Sequence, residues 1–106
     1  MKTLALAFVL STSLAAFAQD ADFAIVIKDH KFSPDRIEIP AGKKVKLVVD
    51  NQDATPEEFE SNSMKIEKVI PGKSKATIFI GPLKAGEYKF VGEFHEKTAK
   101  GVIVAK

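Results

Sequence analysis

The 106-residue chain contains no cysteine, no tryptophan and a single tyrosine. Without cysteine there is no disulfide, no thiolate metal ligand and no cysteine nucleophile, so an apolar core and hydrogen bonds alone must hold the fold. Platforms for single-stranded nucleic acid need clustered cations and several stacking aromatic rings. Here 16 Lys and Arg are scattered among 14 Asp and Glu. So balanced a charge gives no argument for nucleic acid or an anionic membrane as partner. Glycine-rich nucleotide-binding motifs are absent too, and neither histidine stands in the setting of a serine hydrolase elbow.

Long hydrophobic runs are also missing. The apolar stretch Leu4 to Leu14 is too short to span a bilayer comfortably, follows Lys2, and precedes Ala16-Phe17-Ala18, which fits the small-x-small cleavage rule. No basic stop-transfer flank follows it. Residues 1–18 are therefore expected to be a signal peptide, cleaved after Ala18 on export. The remaining 88 residues, 19–106, suit one domain, of a size that buries about 60% of the surface of its unfolded chain. Loss of Lys2 leaves 15 basic against 14 acidic side chains, a balance of +1.

What is present is alternation. Phe23, Ile25 and Ile27 fall on one face, Arg36-Ile37-Glu38-Ile39 repeats the pattern, and no stretch shows a helical period. Further strands are predicted over 45–50, 57–61, 65–70, 76–80, 87–94 and 101–104. Ser33-Pro34-Asp35, Ala41-Gly42, Ser61-Asn62-Ser63, Pro71-Gly72 and Ala85-Gly86 supply the turns between them. This spacing predicts an all-β domain, an antiparallel β-sandwich or Greek-key barrel.

Counting turns gives direction. If 23–28 runs upward, 29–35 turns at the top, 43–50 climbs again, 51–56 is a top loop, 57–61 descends and 87–94 rises. His30, Glu57 and His95 then share one end. Side-chain parity places Glu57 on the inward face with Phe59, while Glu58 and Glu60 point outward. An inward carboxylate needs a partner, and His95 is the nearest candidate.

The order Phe32-Ser33-Pro34, Ile37, Ile39, Ala41-Gly42, Val45, then Asn51-x-Asp53-x-x-Pro56, Pro71-Gly72, Ala85-Gly86-Glu87-Tyr88 and Gly101-Val102-Ile103-Val104 resembles the cupredoxins, specifically the EfeO-type cupredoxin-like group. The strings ATPEEFES, EKVIPGK, IGPL and GEFHEKTAKG resemble, more narrowly, the small periplasmic cupredoxin-like component of bacterial ferrous iron uptake systems. The resemblance covers essentially the whole of 19–106. It implies a Greek-key β-sandwich, a place in the periplasm, and work beside a periplasmic iron-binding protein and an inner-membrane iron permease, binding iron or handling its oxidation.

Carried over position by position, the family's first histidine ligand falls at Glu57, its cysteine at Gly92, its second histidine at His95 and its axial methionine near Ala99 or Lys100. A blue-copper centre rests on a copper–thiolate bond, which this chain cannot form. Carboxylate and imidazole donors favour Cu²⁺, Fe³⁺, Fe²⁺ or Zn²⁺ over Cu⁺. The expected metal, copper or iron, would lie at the top end.

Its candidate ligands are His95, Glu57, Glu58, Glu60, Glu93 and His30. Each has a plainer reading. Glu57 could cap loop amides or pair with a lysine, Glu58, Glu60, Glu93 and Glu96 could be solvated charges, and His30 could be a surface turn residue. Met64, near the other end, fits packing better than ligation. Lys97 and Lys100 oppose a cation in the same loop and suit an acidic partner or an anionic ferric chelate. Two readings compete with a metal-binding accessory of iron transport: a metal-free module that docks to the permease or iron-binding protein, and a periplasmic copper-binding protein. A binding or electron-transfer accessory is favoured over a stand-alone enzyme.

Overall fold

The computed structural model describes residues 21–106. The expected signal peptide and its cleavage point lie outside the described residues. Among the described residues nine strands make two sheets that pack face to face: β1 (Phe23–Lys28), β2 (Lys31–Ser33), β4 (Val45–Asn51) and β7 (Ser74–Ile80) in the order β2-β1-β4-β7, and β3 (Arg36–Ile39), β5 (Glu57–Ser61), β6 (Ile66–Ile70), β8 (Gly86–Gly92) and β9 (Lys100–Ala105) in the order β3-β9-β8-β5-β6. The β-sandwich is thus as expected.

Alternation explains the layers. In β4 the residues Val45, Leu47, Val49 and Asn51 are buried and those between them are not, because successive side chains of a strand point to opposite faces. Ile25 and Ile27 of β1 face Phe59 and Phe90 across the sandwich within one core cluster. The Phe59 and Phe90 rings stack at 4.7 Å, and Phe32 meets Phe90 edge-on at 5.0 Å. Such pairs add to the gain from area burial alone.

Both sheets are mixed rather than purely antiparallel. β1 runs parallel to β4, and β3 parallel to β9. The reason is the route of the chain: after β2 it crosses to the other sheet as β3, then returns to lie beside β1 in the same direction. Residues 29–35 hold more than one turn. Lys28 pairs with Lys31, leaving Asp29-His30 as a two-residue hairpin loop with φ of 53° and 59°, before the short strand β2. Hairpin loops of this kind need positive φ at both positions and usually use Asn-Gly or Asp-Gly, which is why Asp-His gives little signal in the sequence. Strand β8 likewise ends at Gly92, and Glu93–His95 form a single 3-10 turn instead of continuing it.

The top end is fastened by Asn51, which is fully buried. Its Nδ2 donates to the carbonyls of Thr55 (2.9 Å), Ile70 (3.1 Å) and Pro71 (3.2 Å), and its Oδ1 accepts from the Asp53 amide (3.1 Å). One side chain therefore ties the end of β4 to the loop before β5 and to the end of β6. Asn51→Ala strands these carbonyls and should lower the unfolding free energy in urea by about 3 kcal/mol.

Candidate functional site

Glu57 opens β5 on its inward face and is 1% exposed. A carboxylate so buried must be met by donors, or its desolvation would unfold the site. Three donors meet it. Oε1 accepts from the amides of Phe94 (2.9 Å) and Glu58 (3.0 Å), and Oε2 accepts from His95 Nδ1 at 2.7 Å. The 3-10 turn Glu93–His95 makes this possible, since it brings the Phe94 amide and the His95 ring to the same carboxylate. With Nδ1 donating, Nε2 of His95 carries the free lone pair and turns away from Glu57.

His30 lies on top of this pair. Its ring stacks on that of His95 with centroids 3.6 Å apart and planes 12° from parallel. Asp53 holds the hairpin loop that carries it: Oδ1 accepts from the Asp29 amide (2.8 Å), Oδ2 accepts from the His30 amide (3.0 Å), and His30 Nδ1 lies 3.4 Å from Oδ2. Burial pushes the Asp53 carboxyl up. The His30 and Asp29 amides and the nearby imidazoles outweigh that and hold it below its ordinary value. The end expected to gather His30, Glu57 and His95 does gather them, and it adds Asp53, which had been noted only as part of the Asn51-x-Asp53-x-x-Pro56 string.

The other candidate ligands sit elsewhere. Glu58 and Glu60 project from the outer face of β5, with Glu67 across from Glu60 on β6 and Glu93 nearby. The clustered carboxyls hold Glu58 and Glu60 above their ordinary values. A proton shared with Glu93, together with burial and the charges around it, pushes Glu60 up to about 7, and burial followed by the Glu93, Glu67 and Glu57 charges raises Glu58. Met64 packs against the core. Among the described residues no three His, Cys, Asp or Glu side chains converge on a metal position.

The interior position that a blue-copper ion would need is closed. A Cβ added at Gly92 would come within 2.7 Å of Glu57 Cδ, 2.8 Å of Glu57 Oε2 and 2.7 Å of Ala99 Cβ. Ala99 is itself fully buried. The Glu57 carboxylate fills the space beside Gly92, so the residues present do not fit a thiolate-bound copper.

The family can be stated on other grounds. Residues 1–105 match the Cupredoxin-like domain family, and the chain belongs to it. A relative from Rickettsia prowazekii (strain Madrid E), an uncharacterized protein, is 44% identical over 80 residues, which are 76% of this chain and 64% of that one. The chain therefore spans less than two thirds of that relative's length. The purple cupredoxin of Nitrosopumilus maritimus superposes with a TM-score of 0.60 over 80% of this chain and 100% of its own, at 21% identity. Auracyanin A, a "blue" copper protein of Chloroflexus aurantiacus, superposes with a TM-score of 0.68 over 78% of this chain and 96% of its own, at 14% identity. At such identities the superpositions establish the shared fold.

Two outcomes follow from this geometry. Gly92→Ala should destabilise the protein by about 2 kcal/mol through overpacking. Part of that cost should vanish in a Glu57→Ala background, giving a coupling of about 1 kcal/mol in a double-mutant cycle of chemical denaturation. In the folded state Glu60 keeps its proton to about pH 7, whereas the unfolded chain releases it near 4.5, so stability should fall as pH rises between those values. Glu60→Gln should flatten that fall in melting temperatures measured from pH 4 to pH 8.

Proposed function

We propose that the domain is a metal-binding accessory of iron transport outside the cytoplasm, which offers the outward nitrogen of His95 to a copper or iron ion. The observation that carries this reading is the 2.7 Å bond between His95 Nδ1 and the buried Glu57 carboxylate. A carboxylate behind an imidazole fixes its tautomer and orientation and makes its other nitrogen a better ligand. Imidazole suits copper, iron and zinc alike. Auracyanin A, a copper protein with the same fold, favours copper; the sequence resemblance favours iron.

Because no third donor converges on the site among the described residues, the remaining ligands come from water or from a partner. On the resemblance, that partner is a periplasmic iron-binding protein or an inner-membrane iron permease. A site completed by another protein binds its ion loosely by itself and passes it on readily. The closed interior leaves no place for a thiolate-bound copper, so this reading sets the ion at the outer surface, where it would assist ferrous iron oxidation through imidazole rather than sulfur ligation.

The metal-free docking module is favoured by one observation of its own: both oxygens of Glu57 are already taken by protein donors. Calorimetric titration of the chain with Cu²⁺, Fe²⁺ and a soluble ferric chelate separates the two. Saturable one-site binding, weakened about tenfold or more by His95→Ala, is the expected result. Heat signals absent for all three probes would leave the docking module as the function.

A further inference from the structure

We infer that His30, which stands outside the ligand set of the family, is the second nitrogen ligand at this site, and that Asp53 is the residue that positions it. The inference rests on the reading that His95 binds the ion, and it adds the donor that a lone imidazole lacks.

Three observations support it. The first is the state of the two rings. His30 Nδ1 faces the Asp53 carboxylate and His95 Nδ1 faces the Glu57 carboxylate, so each imidazole has an acidic partner on the same ring atom. Neither Nε2 has a protein hydrogen-bond partner among the described residues. Both carboxylates belong to the one short segment 53–57. The rings stack 3.6 Å apart and nearly parallel, and with each Nδ1 facing a carboxylate, Nε2 is the nitrogen each ring has left for an ion. Two imidazoles this close form a donor pair for a borderline divalent ion of the Cu²⁺ or Zn²⁺ type once the rings tilt out of the parallel stack, so that their in-plane lone pairs converge.

The second observation is the cost of putting His30 there. Asp29 and His30 both take left-handed backbone conformations, which non-glycine residues adopt only when their surroundings compensate. The compensation comes from Asp53, whose two oxygens take the two loop amides while Oδ2 also faces the ring. A glycine at position 30 would relieve the backbone at no steric cost, but it would bring no imidazole to the stack.

The third is exposure. The His30 side chain is 42% exposed and that of His95 27%, so an ion reaches the pair from solvent or from a partner without any movement of the core.

The test is electron paramagnetic resonance of the chain loaded with one equivalent of Cu²⁺, read for the number of coupled nitrogens, beside a calorimetric affinity for the same ion. Wild type should show two nitrogens. His30→Asn keeps a residue that tolerates the left-handed conformation, and should show one nitrogen with affinity about tenfold or more weaker. Asp53→Ala should also lose the second nitrogen although His30 is still present. Asp53→Asn keeps an oxygen acceptor for only one of the two loop amides and turns an NH2 donor on the other, so it should recover the second nitrogen only in part. Circular dichroism melts confirm that each variant is folded before it is loaded.

If His30→Asn leaves both the nitrogen count and the affinity unchanged, His30 is not a ligand, while the reading of His95 stands. Two nitrogens retained in Asp53→Ala would remove the positioning role of Asp53. No Cu²⁺ binding by wild type would overturn this inference, and an affinity that His95→Ala does not alter, or silence for the iron probes as well, would overturn the functional reading with it.

Discussion

Glu57 carries a charge into a place that is 1% exposed, and the top end of the sandwich is arranged around the need to meet it. A buried carboxylate is tolerated only when its lone pairs are taken up by donors. Strand β8 stops at Gly92, the 3-10 turn brings in the Phe94 amide, and His95 swings its Nδ1 inward. Each step is local, yet all three answer to one side chain. The imidazole that emerges on the outer surface is fixed because its inner nitrogen is committed.

A second carboxylate repeats the arrangement with less burial. Asp53 organises a strained hairpin loop by accepting from two consecutive amides, and the product is again an oriented imidazole. The two units meet in the stacked rings. They also share a support: Asn51 holds the backbone of Asp53 through its Oδ1 and clasps the end of β6 through its Nδ2, so the loop between the two carboxylates is braced from beneath. Aromatic packing of Phe32, Phe59 and Phe90 provides the floor.

Much of this was legible in the residues. The period of two in 23–27, 36–39 and 45–50 located strands because a half-buried strand can satisfy water on one face and the core on the other only by alternating. The same parity put Glu57 inside and pointed to His95. Other features were not legible. The parallel pairings depend on which sheet the chain enters after β2, a property of global packing that no local pattern encodes. The Asp29-His30 hairpin escaped notice because its stabilising acceptor is Asp53, more than twenty residues away. The meeting of His30 with His95 follows from that hairpin, so it was hidden for the same reason. The same parity pointed Glu58 and Glu60 outward, away from the imidazoles, and Glu93 lies beside Glu60 because β8 stops at Gly92.

The contact between Glu57, Gly92 and Ala99 bears on how such a sequence can change. A side chain at position 92 collides with the carboxylate and with the Ala99 methyl. Exchanging Glu57 first leaves two amides and an imidazole without their acceptor. Either order passes through an impaired protein, so a sulfur ligand at position 92 does not arise by independent single steps. The three residues form an interlock: a side chain at position 92 fits only if Glu57 and the donors that meet it are exchanged together, so the interior is locked while the outer surface stays open to change.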